Sequence, residues 1–271
     1  MLTKSIWFEK IGQGIPIIFI HGLGVDHRTL SLIFEPFFKS HPQLSFQRIY
    51  LDLPGMGNTP ILPKIHSSDD ILALLEIFIK NTIGTKPFLL VGESYGGYLA
   101  QGLIFRLSSQ ILGSILICPV VIPELSKRTL PPSQIISETP GFRNTLTPSE
   151  LKEYLRSTTV ISAENWAKFS KLIYSAYQTV NKPFVSQLFR ENYRLSVSID
   201  SSSKLYSFPL LMLLGKQDST VGYQDHFSII EKFPQISYFI IDRAGHNLLI
   251  EQTTIICKLI EWYLLQNFPK T

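Results

Sequence analysis

The chain has 271 residues, of which 45% are hydrophobic and 12% aromatic, so it can bury a large core and is too apolar for a disordered chain. Its net charge of +4 comes from 25 basic and 21 acidic residues scattered along the sequence, which offers nucleic acid or a membrane surface no concentrated patch. Cys118 and Cys257 lie in an apolar and an amphipathic run, and both read as buried free thiols rather than a disulfide.

The N-terminal MLTKSIWFEKIGQG has neither a long apolar stretch nor a small-residue cleavage site; it reads as a first strand, and a cytoplasmic location is the expectation. IPIIFI (residues 15–20) and FQRIYLDL (46–53) have the length and apolar character of buried strands. SSDDILALLEIFIKN (67–81) has helical spacing, with Ser67 or Ser68 as its cap and Asp69 and Asp70 in the first turn, where the helix dipole favours them. PFLLVG (87–92) is the next strand, residues 95–108 the next helix, and ILGSILICPVV (111–121) contains another strand. Strands alternating with helices imply a mostly parallel sheet covered on both faces. Apolar runs such as ILALLEIFI carry a charge and fall short of the roughly 18 to 20 residues that a membrane span needs.

Beyond residue 121 the rhythm breaks. Residues 122–207 carry no buried-strand pattern and read as a helical cap inserted into a core made of residues 1–121 and 208–271. TPSE (147–150) is a capping box with Pro148 at the first helical position, so a helix should run to about Arg156. Further helices fit residues 162–180 and 183–195. Strand rhythm resumes with PLLMLLG (209–215), followed by a helix over 224–232, the strand ISYFIID (236–242) and a last helix over 248–266.

The chemistry concentrates at GESYGGY. Gly92-Glu93-Ser94-Tyr95-Gly96 is G-x-S-x-G between a strand and a helix, where a serine on a strained turn needs small neighbours two positions either side. The backbone N–H of Tyr95, at the helix N-terminus, would face an oxyanion near Ser94 Oγ. A serine hydroxyl needs a base, and the base an orienting acid. Of His21, His27, His41, His66, His226 and His246, only His246 lies just past the last strand, after Gly245, where it would emerge at the same sheet edge as Ser94. Asp218, just beyond PLLMLLG, suits the acid in a Ser, acid, His order, with Asp242 and Glu124 as competitors. HGLG (21–24) follows a strand, and its glycines would let the N–H of Leu23 reach a substrate oxygen while His21 braces the loop. DLPGMGN (52–58) lacks the spacing of a dinucleotide fingerprint, and there is no H-E-x-x-H or C-x-x-C, so neither a cofactor nor a metal is expected.

HGLG, DLPGMGN, GESYGG, LLGKQD and AGHN, in this order from His21 to Asn247, make the chain resemble the α/β-hydrolase superfamily, in its capped group of small esterases, C–C bond hydrolases and proline iminopeptidases. The resemblance implies an α/β fold, a mostly parallel doubly wound sheet with a helical cap inserted after the sixth family strand. It also implies Ser94 as nucleophile, Asp218 as acid, His246 as base, and Leu23 and Tyr95 as oxyanion N–H donors. Glu93 and Asn58 depart from the histidine and serine that many relatives carry there. Serine at the elbow argues against dehalogenases and epoxide hydrolases, which use aspartate.

Most of the cap aromatics, Tyr154, Phe184, Phe189 and Tyr193 among them, are expected to pack the cap onto the sheet; Trp166, Phe169, Tyr174 and Tyr177 are candidates to line the pocket. The expected activity is that of a serine hydrolase acting through an acyl-enzyme on a small, largely apolar ester, its partner a small-molecule substrate. Two alternatives remain. One is a proline iminopeptidase-like enzyme, for which Glu124, Glu138, Glu150, Glu153, Glu164 or Glu191 would bind the free amino terminus; the other is a binding protein without turnover.

Overall fold

The computed structural model describes residues 6–268. Part of the expected first strand therefore lies outside the described residues; the rest forms β1 (Phe8–Ile11), an antiparallel edge strand. The remaining main-sheet strands are β2 (Ile15–Ile20), β3 (Phe46–Leu51), β4 (Phe88–Glu93), β5 (Ile111–Ile117), β8 (Leu210–Gly215) and β9 (Ile236–Ile241). All of these run parallel, and the sheet order is β1-β3-β2-β4-β5-β8-β9. β8 is buried along its whole length and β2 along all but its first residue, as expected of strands covered on both faces.

The order of the strands positions the site. From β2 the chain winds outward to β3, then crosses back over β2 to enter β4 and continues to β5. The winding therefore reverses between β2 and β4, and a crevice opens outside their carboxyl ends, where open α/β sheets bind ligands. HGLG leaves β2 and Ser94 leaves β4 at that crevice.

Helix α1 (Arg28–Ser40) was not anticipated from periodicity. Pro36 lies inside it, but on the solvent face, while Leu30, Ile33, Phe34, Phe37 and Phe38 are buried; packing of that face outweighs the missing hydrogen bond. α2 (Ser68–Ile83) begins as expected, with a reciprocal capping box in which Ser67 Oγ accepts the Asp70 N–H and the Asp70 carboxylate accepts the Ser67 N–H. α3 (Tyr95–Leu107) follows the serine directly.

Residues 122–207 leave the sheet after β5 and return at β8, its neighbour. They form α4 (Pro148–Leu155), α5 (Ala163–Phe169), α6 (Ser175–Thr179) and α7 (Lys182–Glu191). Thr147 and Glu150 make the anticipated capping box. The run expected over 162–180 is continuous but widens into one π-turn at Ser170–Tyr174. A two-residue parallel pair, β6 (Ser137–Glu138) with β7 (Val160–Ile161), was not foreseen; it is too short for a period to register.

Two C-terminal expectations need correction. The helix expected over 224–232 contracts to α8 (Phe227–Ile230), because its leading residues have tertiary partners: Asp225 accepts the Thr129 N–H and buried His226 bonds through Nε2 to the Pro119 carbonyl. The last helix is broken at Gln252, whose side chain donates to the carbonyls of Asp242 and Arg243, leaving α9 (Leu248–Glu251) and α10 (Thr253–Asn267). Among the described residues no helix is long and apolar enough to cross a membrane.

Candidate active site

Ser94 has φ 54° and ψ −116°, a region that L-residues adopt only under constraint. The constraint is backbone packing. A Cβ on Gly96 would overlap the carbonyl oxygens of Ile20 and His21, and one on Gly92 would come within 2.6 Å of the Gly96 carbonyl oxygen. The two glycines let α3 start against the end of β2, and this turns Ser94 outward.

His246, 152 residues further on, brings its Nε2 to 2.9 Å from Ser94 Oγ. Its Nδ1 lies 2.8 Å from Asp218 Oδ2, and the other oxygen of Asp218 accepts the N–H groups of Thr220 and Val221. Asp218 is fully buried, while the His246 side chain keeps 15% exposure. Burial works against a charged His246, but the charge and hydrogen bond of Asp218, helped by the charge of Glu93, raise its pKa above the ordinary histidine value. Burial likewise works against a charged Asp218, yet His246 and the two backbone N–H groups hold its carboxyl below the usual range. With Asp218 accepting from Nδ1–H, Nε2 is left to accept a proton from Ser94.

HGLG lies beside this chain of hydrogen bonds: a Cβ on Gly22 would sit 3.3 Å from Ser94 Cβ. His21 is fully buried and clamps the loop, with Nδ1 at 2.7 Å from the Gly22 carbonyl and Nε2 accepting the Leu53 N–H at 2.9 Å. Burial lowers its pKa, so it is neutral and bonds through both nitrogens. Neither the Leu23 N–H nor the Tyr95 N–H has an acceptor among the described residues. Asp52 of DLPGMGN accepts from the backbone and Nδ1 of His27 and from the backbone and side chain of Asn58, so that turn organises neighbouring loops. Asp26, His27 and Asp52 lie close enough together to ligate an ion, but Asp26 is already paired with Arg28 at 2.6 Å.

Glu93 is accommodated. Its Oε2 accepts the Gly22 N–H at 3.3 Å, and burial pushes its carboxyl up against the opposing pull of His246, Gly22 and the Thr29 hydroxyl. Asp242 instead binds Gln217 at 2.7 Å, and Glu124 binds Arg194 at 2.6 Å, so neither acid competitor reaches His246. Of the aromatic candidates, Tyr177 lies over the crevice, its ring edge 3.4 Å from a Cβ built on Gly24. Trp166 stacks on Phe169 and packs against Tyr154 and Tyr174, in the part of the insertion that meets α1 and α9.

The sequence profile described as the alpha/beta hydrolase family matches residues 17–255, which span every element of this site. The chain belongs to the alpha/beta hydrolase family. An alpha/beta superfamily hydrolase from Oenococcus oeni PSU-1 superposes with a TM-score of 0.86 at 36% identity, covering 96% of this chain and 95% of that one. A thermophilic esterase from Thermogutta terrifontis shares the fold, with a TM-score of 0.69 at 19% identity over 96% of this chain and 93% of its own. Pimeloyl-[acyl-carrier protein] methyl ester esterase from Legionella pneumophila (strain Corby) is 24% identical over 272 aligned residues, covering 96% of this chain and 99% of its own. The chain is an esterase-like hydrolase of this family.

Sequence reasoning missed several residues of this hydrolase site. Cys118 is fully buried at φ 41°, and its Sγ lies within 4.8 Å of ligand atoms of both Asp218 and His246. Glu251 accepts the N–H of Gly245 through one oxygen and those of Thr159 and Val160 through the other, tying the loop of His246 to the helical insertion. Arg128 donates from Nε to Ile122, from Nη1 to Thr220 and from Nη2 to Pro123, all to carbonyls. None of the three stands in a motif, because each acts through contacts that exist only once the chain is folded.

Proposed function

We propose that the protein is a serine esterase that cleaves a small ester through an acyl-enzyme. The observation that carries this reading is the continuous chain from Ser94 Oγ through His246 to Asp218, at 2.9 and 2.8 Å. Ser94 Oγ attacks the ester carbonyl as its proton passes to His246 Nε2, and Asp218 stabilises the imidazolium that forms. The negative charge on the carbonyl oxygen is met by the N–H groups of Leu23 and Tyr95. His246 then gives its proton to the departing alkoxide, leaving an acyl group on Ser94. Water, deprotonated by the same nitrogen, releases the acid and restores the serine.

An ester is favoured over a peptide with a free amino terminus by the state of the carboxylates in the insertion. Glu138, Glu153 and Glu164 are paired with Arg143, Arg156 and Lys168, Glu124 with Arg194, Glu150 caps α4, and Glu191 accepts from Gln187. Each is already engaged, so none offers a ready acceptor for a substrate ammonium. Tyr177 and Leu23 supply apolar surface beside the reacting carbonyl, which suits a short acyl chain. The name of the Legionella relative, a methyl ester esterase, points the same way.

A fluorophosphonate probe tests the reading, together with short-chain para-nitrophenyl esters and proline para-nitroanilide assayed in parallel. Labelling and ester turnover in the wild type, both lost in Ser94→Ala, are expected. Equal labelling of both proteins, or turnover of the anilide in preference to the esters, would overturn it.

A further inference from the structure

Arg128 stands out among the charged residues near the site. Its three donor nitrogens bond to backbone carbonyls: Ile122 and Pro123 at the start of the insertion, and Thr220, two residues beyond Asp218. No carboxylate lies within ion-pair distance of it among the described residues. Of the other arginines of the insertion, Arg143, Arg156 and Arg194 each bind a glutamate at 2.9 Å or less, while Arg190 is exposed to solvent. Carbonyls satisfy hydrogen bonds but do not cancel a charge, and holding a cation in a partly buried place without an anion is unfavourable.

Its surroundings place it at the crevice. On one side it holds the loop of Asp218 through Thr220, whose own N–H bonds to the Asp218 carboxylate. On the other it faces the hydroxyl of Tyr193, whose ring stacks on Tyr95, the residue after Ser94, with centroids 4.9 Å apart. The guanidinium thus stands between the acid loop and the elbow, and its charge acts on His246. The Thr220 and Pro123 bonds fix the plane of the fork, so the group is pre-oriented and loses little freedom when it binds.

We infer that Arg128 is the anchor for a carboxylate on the substrate, so that the preferred ester carries an acidic group a short chain away from the scissile carbonyl. This rests on the esterase reading above and narrows its substrate class. The mouth of the site stays apolar at Tyr177 and Leu23, and one fixed cation selects among esters that fit it. A carboxylate would take the guanidinium N–H groups not used by the carbonyls and supply the missing anion.

The test uses two pairs of esters matched in size. Mono-para-nitrophenyl glutarate against para-nitrophenyl pentanoate places the charge on the acyl side; meta-carboxyphenyl butyrate against phenyl butyrate places it on the leaving group. The wild type is expected to favour the acidic member of at least one pair by about 10- to 100-fold in kcat/KM, mainly through KM, the range of a well-formed charge pair. Arg128→Gln should collapse that ratio, Arg128→Lys should restore part of it, and added salt should weaken the wild-type preference. Turnover of the neutral esters with no preference in either pair would overturn the inference while leaving the esterase reading intact. A wild-type preference that Arg128→Gln leaves unchanged would also overturn it. Absence of turnover on all four would sink the esterase reading itself. Should Arg128→Gln fail to fold for want of its three carbonyl bonds, Arg128→Lys takes its place: a ratio reduced against the wild type is expected, and an unchanged ratio would overturn the inference.

Discussion

Glu93 Oε2 stands 3.3 Å from the backbone nitrogen of Gly22, so the residue before the serine holds the glycine before Leu23. The same carboxylate raises the pKa of His246 through its charge. Glu93→Gln keeps an acceptor for Gly22 but removes the charge, so the acidic limb of the kcat/KM profile should move to lower pH with the maximal rate little changed. Glu93→Ala leaves a buried N–H unpaired, at a cost of about 1–3 kcal/mol, and should lower kcat more than it raises KM. pH profiles of the wild type and both variants separate charge from positioning; an acidic limb in Glu93→Gln that coincides with the wild type's would mean that the charge has no influence.

In the proposed mechanism His246 is the base, a role it can fill only when neutral. Because Asp218 raises its pKa, the acidic limb of kcat/KM for the wild type should lie above the ordinary histidine value of 6.5. Asp218→Asn removes the charge that raises it, so the limb should shift downward while kcat falls by roughly ten-thousand-fold, as it does when a triad loses its acid. A wild-type limb below 6.5 would mean that burial outweighs the charge of Asp218 at His246.

Gly96→Ala should be more damaging than an ordinary helix substitution, since alanine is otherwise the best helix former. Its Cβ would overlap the carbonyls of Ile20 and His21, so either α3 moves away from β2 or the elbow relaxes. Loss of fluorophosphonate labelling together with a lower melting temperature is the expected outcome. A variant as stable and as reactive as the wild type would show that the elbow tolerates the shift.

Glu251→Ala removes the acceptor for Gly245, Thr159 and Val160. Each N–H left without a partner costs about 1–3 kcal/mol, and such losses are not additive within one network. Urea unfolding should show a clear drop in stability, and kcat should fall because Gly245 precedes the base. If stability drops and kcat holds, Glu251 secures the insertion without orienting His246.

Ser94, Asp218 and His246 were legible as candidates because each follows an apolar strand of the sheet, where the chain must turn and where its residue types are constrained. Strand periods, the capping boxes at Ser67 and Thr147, and the glycines around the elbow are local signals, decided by backbone sterics and by hydrogen bonds a few residues long. The parallel sheet and the edge at which its loops gather follow from those signals.

Which side chains meet at that edge was decided by tertiary structure. Trp166, Phe169, Tyr174 and Tyr177 had the same claim to the pocket by sequence, yet Trp166, Phe169 and Tyr174 meet one another while Tyr177 lies over Gly24. Arg128 and Glu251 carried no signal, and Cys118 only that of a buried thiol, because their partners are backbone groups or side chains distant in the chain. The helix over 28–40 holds a proline in its interior, and burial of its opposite face offsets the hydrogen bond that Pro36 removes. Local periodicity determines which face of an element is apolar, but which residue fills a crevice depends on packing between elements, and no single segment contains that information.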